Sequence, residues 1–111
     1  MKLQTKNLFD EIPTELKEEL FQTVAKSSSV TIERIVSGGH ITPQGQWYDQ
    51  EWDEWVLLIS GSATLRFEKE ENLHHLKPGD HIMIPAGCRH RVEQTDNSRK
   101  TIWLAVNFIG S

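Results

Sequence analysis

Apolar residues recur along this chain at two different spacings, and the change falls near Val30. Upstream, over residues 12–24, Leu16, Leu20 and either Phe21 or Val24 share one face of a 3.6-residue period. Pro13 sits where its missing N–H costs a helix nothing, and Glu15 falls where a first-turn carboxylate meets the positive end of the helix dipole. The spacing predicts a short amphipathic helix laid against the outside of a sheet. Ser27, Ser28 and Ser29 then form a flexible connection. Residues 1–29 are therefore expected to be a helical extension, and residues 30–111 the main domain.

From Val30 onward the pattern is that of strands. Residues 30–36 are rich in β-branched side chains and stop at Gly38-Gly39; residues 55–59 are continuously apolar and stop at Gly61. Residues 63–67 follow, then the acidic tip at 68–72, which reads as a solvated hairpin turn. Residues 73–76 make a brief strand before Pro78-Gly79, and Ile82, Met83 and Ile84 another before Pro85 and Gly87. A last and strongest segment covers residues 101–108. About six to eight short strands with turn residues between them, and no helical pattern interleaved, predict an all-β sandwich or small barrel rather than a parallel doubly wound sheet.

Composition narrows the function more than the fold. At 111 residues the chain suits one core and is too short for two ordinary domains. A hydrophobic content of 37% separates it from disordered chains. The net charge of −4 argues against a nucleic-acid partner, since Arg89 and Arg91 beside His90 make no basic stripe. No apolar run approaches the ~20 residues of a membrane-spanning helix, so no membrane partner is expected. Residues 1–7 lack the apolar core of a signal peptide, and Cys88 is the single cysteine, so a cytoplasmic location is expected. Neither a Gly-x-Ser-x-Gly elbow, a phosphate loop, a dinucleotide fingerprint nor a Cys-x-x-Cys pair is present, which disfavours serine-nucleophile and nucleotide-hydrolysing chemistry.

The candidate chemistry gathers around two stretches. In the first, Pro85-x-Gly87 forces a sharp reversal, because proline fixes φ and glycine reaches the left-handed region, and the turn aims His90 into the next strand. Histidine is the commonest protein metal ligand and titrates near neutral pH. In the second, Glu54 abuts the buried run 55–59, and a carboxylate in that position needs a partner. If residues 48–58 are extended, Tyr48, Gln50, Trp52, Glu54, Val56 and Leu58 share one face, and Asp49, Glu51, Asp53, Trp55 and Leu57 the other. A bulge near Trp52 would return Asp49 to the inner face.

Gly79, five residues, Pro85, one residue, Gly87, two residues and His90 together resemble the second motif of the cupins, with Gln94 where that motif has Asn. Glu54, six residues and Gly61 resemble the closing half of the cupin first motif. Tyr48 and Gln50 stand where that motif has a His-x-His pair. From about Val30 the order of strands and turns follows the family.

The resemblance implies a double-stranded β-helix, a jelly-roll barrel, with Glu54 pointing inward toward His90, Val92 and Gln94. It also implies a divalent transition metal (Fe, Mn, Ni or Zn) held by Glu54 and His90, with Gln50 as a neutral oxygen donor and Tyr48 as an acid or orienting group. Two copies pairing as a homodimer, through the apolar face opposite the pocket, is a further implication. Two functions stay open: a metal-dependent enzyme of oxygenase or isomerase type, with Tyr48 and Glu54 catalytic, or a non-catalytic module that binds a small molecule without metal. A purely structural dimerisation unit would leave the inward polar residues unexplained.

The remaining aromatic and imidazole groups have plainer expectations. His40 is expected in a loop, and His81 as strand filler. His74 and His75 are neighbours on a strand, face opposite ways and cannot chelate together. Trp55 and Trp103 are expected in the core or at a dimer interface, and Trp47 and Trp52 at the mouth of a pocket.

Overall fold

The computed structural model describes residues 1–109. The β-branched and aromatic segments become eight strands: β1 (Leu20–Lys26), β2 (Val30–Ser37), β3 (Asp53–Ser60), β4 (Ala63–Phe67), β5 (His74–Leu76), β6 (His81–Ile84), β7 (His90–Thr95) and β8 (Thr101–Phe108). They form a five-stranded sheet in the order β1-β2-β8-β3-β6 and a three-stranded sheet in the order β5-β4-β7. Every strand pair is antiparallel. The non-sequential neighbours, β8 between β2 and β3 and β7 beside β4, are the Greek-key crossovers of a jelly roll. Among the described residues no helix is long and apolar enough to cross a membrane.

The inner faces of the two sheets supply the core. Leu58 and Ala105 are fully buried, and Leu65, Phe67, Ile84 and Trp103 are within a few per cent of it. At the closed end the chain turns through Gly61, whose φ of +84° only glycine adopts freely. A Cβ there would also lie 2.8 Å from the Thr101 backbone, so the residue must be small as well as permissive.

Two local expectations are corrected. The predicted helix over residues 12–24 does not form; residues 20–26 are β1, the edge strand of the larger sheet, with Phe21 opposite Ile35 and Gln22 opposite Arg34. The backbone hydrogen bonds offered by β2 outweigh a helical spacing that too few residues carry. Residues ahead of β1 are tied down individually: the Arg34 guanidinium donates to the carbonyls of Leu8 (2.8 Å) and Asp10 (2.6 Å), and the Lys100 ammonium to that of Thr14 (2.9 Å).

Gln94 is the second correction. The β4–β7 register slips by one residue between Thr64 and Leu65, so that Leu65 faces Val92 while Thr64 faces Gln94. This bulge leaves His90 and Val92 pointing inward and turns Gln94 out to solvent. Trp55 lies half-buried on the outer face of β3 and donates from its indole to His81 Nδ1 at 3.2 Å, and Trp103 is in the core.

Candidate functional site

The Pro85–Gly87 turn does what its residues dictate. Cys88 N–H donates back to the Pro85 carbonyl, Gly87 adopts a φ of +76°, and Gly87 N–H donates to the Gln50 carbonyl at 2.7 Å. Asp53 Oδ1 accepts from Ala86 N–H at 2.8 Å, fastening the turn to the start of β3. Side by side in an antiparallel bridge, Tyr48 and His90 exchange both backbone hydrogen bonds, at 2.7 and 3.1 Å. Regular strand begins only at Asp53, yet Tyr48, Gln50, Trp52, Glu54 and Val56 all reach one cavity, so the alternating face read from the sequence continues through the irregular segment.

His90 is held rigidly. Its ring stacks on Tyr48 (centroids 5.6 Å, 25° between planes) and lies 5.8 Å from the Phe67 ring. Nδ1–H donates to the Cys88 carbonyl at 2.9 Å, which leaves the lone pair on Nε2. Burial lowers the His90 pKa below its ordinary 6.5, outweighing that carbonyl and Asp49, so the neutral ring prevails at pH 7. Nε2 points toward Glu54 Oε1 at 3.9 Å, beyond hydrogen-bonding distance.

Burial also raises the Glu54 pKa above 4.5, with Glu33 adding to the rise and a hydrogen bond from Gln50 opposing it. Tyr48 is raised above 10 by burial, by the charges of Glu19 and Glu54, and by its hydrogen bond to Glu19, so the phenol stays protonated. Each group is pushed toward its neutral form.

Tyr48, Gln50, Glu54 and His90, the four residues singled out from the sequence, therefore line the same cavity, whose volume is about 120 Å³. Its walls are largely apolar, with Phe21, Ile35, Leu65, Ile84, Val92 and Trp103 contributing. Three polar residues were missed: Glu19, Glu33 and Asn107 also line it. Asn107 bridges the site, donating to Glu33 Oε1 and accepting from the Trp52 indole, both at 2.9 Å. Glu19 accepts from the Ser37 hydroxyl at 2.6 Å. Asn107 interrupts the apolar run of β8, which was a readable signal; Glu33 stands among the polar residues Thr31 and Arg34 of β2, and Glu19 was hidden inside the presumed helix.

A metal centre does not fit these donors. Among the described residues no group of three or more His, Cys, Asp or Glu side chains is placed to hold an ion. Glu54 and His90 meet, but Tyr48 keeps its proton and the Gln50 amide is engaged with Glu54. Where the metal-binding pattern has two imidazoles, this cavity offers a phenol and an amide.

The profile of the Cupin domain family matches residues 34–107. The chain is a cupin. No curated protein matches it. Among solved structures, this cupin is similar to a protein provisionally assigned as a mannose-6-phosphate isomerase from Ralstonia eutropha JMP134, at 41% identity over 97% of this chain and 100% of that one, with a TM-score of 0.93. A cupin with a double-stranded β-helix fold from Methanocaldococcus jannaschii shares 20% identity, covering 89% of this chain and 87% of that one at a TM-score of 0.67. The polyketide cyclase RemF from Streptomyces resistomycificus shares 20% identity, covering 98% and 81% at a TM-score of 0.75. The last two likenesses concern the fold alone. They bear out the jelly-roll expectation.

Proposed function

We propose that this cupin binds a small organic molecule in the Glu54–His90 cavity and does so without a resident metal. The observation that supports this reading is the donor set: Glu54 and His90 at 3.9 Å, both biased toward neutrality, beside a protonated phenol and an amide, with the Glu19 and Glu33 carboxylates on the same cavity but not converging with them on one point. Such a wall suits orientation of a ligand by a few polar contacts over an apolar floor. Elemental analysis of protein purified without chelator tests it. The expected result is no stoichiometric transition metal; a metal at one per chain that His90→Ala loses would overturn the reading and restore the oxygenase or isomerase alternative.

A second reading is supported by the Glu54 pKa. A carboxylate whose pKa burial raises is a better proton acceptor than an ordinary one, and the neutral His90 Nε2 faces it across 3.9 Å. That equips the cavity for isomerase-type proton transfer with Glu54 as base, and with Tyr48 positioning His90 by stacking. Pairing of two copies through the outer face of β3 and β8, where Trp55, Leu57, Leu104 and Val106 are half-buried, belongs to the same proposal and is checked by sedimentation equilibrium. So does a reducing compartment, in which the lone Cys88 has no pairing partner in the chain.

A further inference from the structure

The cavity's free polar atoms are acceptors. His90 Nε2 has a bare lone pair on a side chain only 6% exposed, and no group lies within hydrogen-bonding distance of it. Glu19, Glu33 and Glu54 bring three carboxylates to the same wall. Of the donors nearby, the Trp52 indole donates to Asn107 Oδ1 and Asn107 Nδ2 to Glu33 Oε1, while the Tyr48 phenol and the Gln50 amide face the Glu19 and Glu54 carboxylates. Among the described residues no lysine or arginine lines the cavity. The two buried guanidiniums are turned elsewhere, Arg34 onto the carbonyls of Leu8, Asp10 and Glu11, Arg91 onto those of Thr42, Pro43 and Gln46.

Acceptors and carboxylates that face a largely apolar cavity are complemented by a ligand that brings both donors and positive charge. The carboxylates are too dispersed to converge on a single metal ion, yet they suit a cation with several N–H bonds pointing different ways. The aromatic walls Tyr48, Trp52 and Trp103 add faces that attract a cation. At about 120 Å³ the space is a little smaller than an engineered cavity of about 150 Å³ that takes up benzene, so the ligand body is compact.

We infer that the Glu54–His90 cavity takes a small protonated amine, its ammonium donating to His90 Nε2 and to the Glu33 and Glu54 carboxylates and its short apolar body lying against Val56, Ile84 and Val92. The inference rests on the metal-free binding reading above and sharpens it to a ligand class. A phosphorylated sugar is disfavoured by the same argument, because a dianion would face three carboxylates and no cation.

Calorimetric titration of the full chain at pH 7.5 tests this with four probes of matched size: n-butylamine, 1-butanol, butyrate and tetramethylammonium. The ammonium is expected to bind at least tenfold more tightly than the alcohol, as charge-assisted hydrogen bonds require. Butyrate should not bind, and tetramethylammonium, a cation without N–H donors, should bind more weakly than n-butylamine. Glu33→Gln should erase the preference for amine over alcohol, and Glu19→Gln should reduce it. Alcohol or butyrate binding as tightly as the amine, or no binding by any probe, overturns the inference. Alcohol binding without amine preference would overturn the ligand class alone, whereas a stoichiometric metal would overturn the underlying reading.

Discussion

Glu54 and Leu58 stand four residues apart on β3, point to the same inner face, and meet opposite treatment. Leu58 is wholly buried among Ala63, Leu65 and Trp103, where β3, β4 and β8 close the barrel. Glu54 is almost as buried, yet faces a cavity and an imidazole it does not quite reach. The closed end is built for stability, since each apolar contact there removes surface from water. The open end holds two buried titratable groups that stability alone does not favour. That difference within one strand marks the cavity as the candidate site.

The sharpest way to break the comparison is to make the closed end resemble the open one. Leu58→Ala should cost about 3 kcal/mol by cavity formation, read from the urea midpoint. Gly61→Ala should follow at about 2 kcal/mol, because its φ of +84° and the Thr101 backbone at 2.8 Å both resist a methyl group. Gly87 has a similar φ of +76° but open space around it, so Gly87→Ala on the site side should cost only about 1 kcal/mol. A Gly87 variant as damaging as the Gly61 one would mean the turn carries packing that its surroundings do not show.

Smaller effects are expected at the polar end. Glu54→Gln and His90→Gln should each shift stability at pH 7 by less than about 1 kcal/mol in either direction, since neither group makes a short bond to the other. A loss like that of Leu58→Ala would place Glu54 among the structural residues instead.

The pH dependence separates the two groups with the smallest effect. Glu54 has a folded pKa above 4.5, so its contribution is present below pH 4.5 and lost as pH rises through the raised value. His90 has a folded pKa below 6.5, so its contribution is present above pH 6.5 and lost as pH falls through the lowered value. Thermal midpoints between pH 4 and 8 should therefore flatten on the rising-pH side in Glu54→Gln and on the falling-pH side in His90→Gln. Unchanged profiles in both variants would show that neither environment perturbs its group.

Much of the fold and half of the site were legible before any coordinates. The run of β-branched residues from Val30, the breaks at Gly61, Pro78 and Pro85, and the final segment 101–108 give strands where the structure has them. Glu54 and His90 were legible through motif spacing, and Tyr48 and Gln50 through parity. Residues 12–24 misled because their apolar spacing was helical while the available partner was a strand edge on β2. Gln94 misled because a bulge set by pairing with β4 cannot be read from β7 alone.

Strand parity is local: alternate side chains must take opposite faces, so the order of residues from Tyr48 to Leu58 already determined which would share a wall, and Pro85-x-Gly87 determined that His90 would turn toward it. Which groups arrive from elsewhere depended on register between distant strands. Only the packed barrel carried Glu19, Glu33 and Asn107 to that wall and turned Arg34 and Arg91 away from it, because hydrogen bonding across β1, β2 and β8 in one sheet and across β4 and β7 in the other, not the neighbours in the chain, decides where those side chains end.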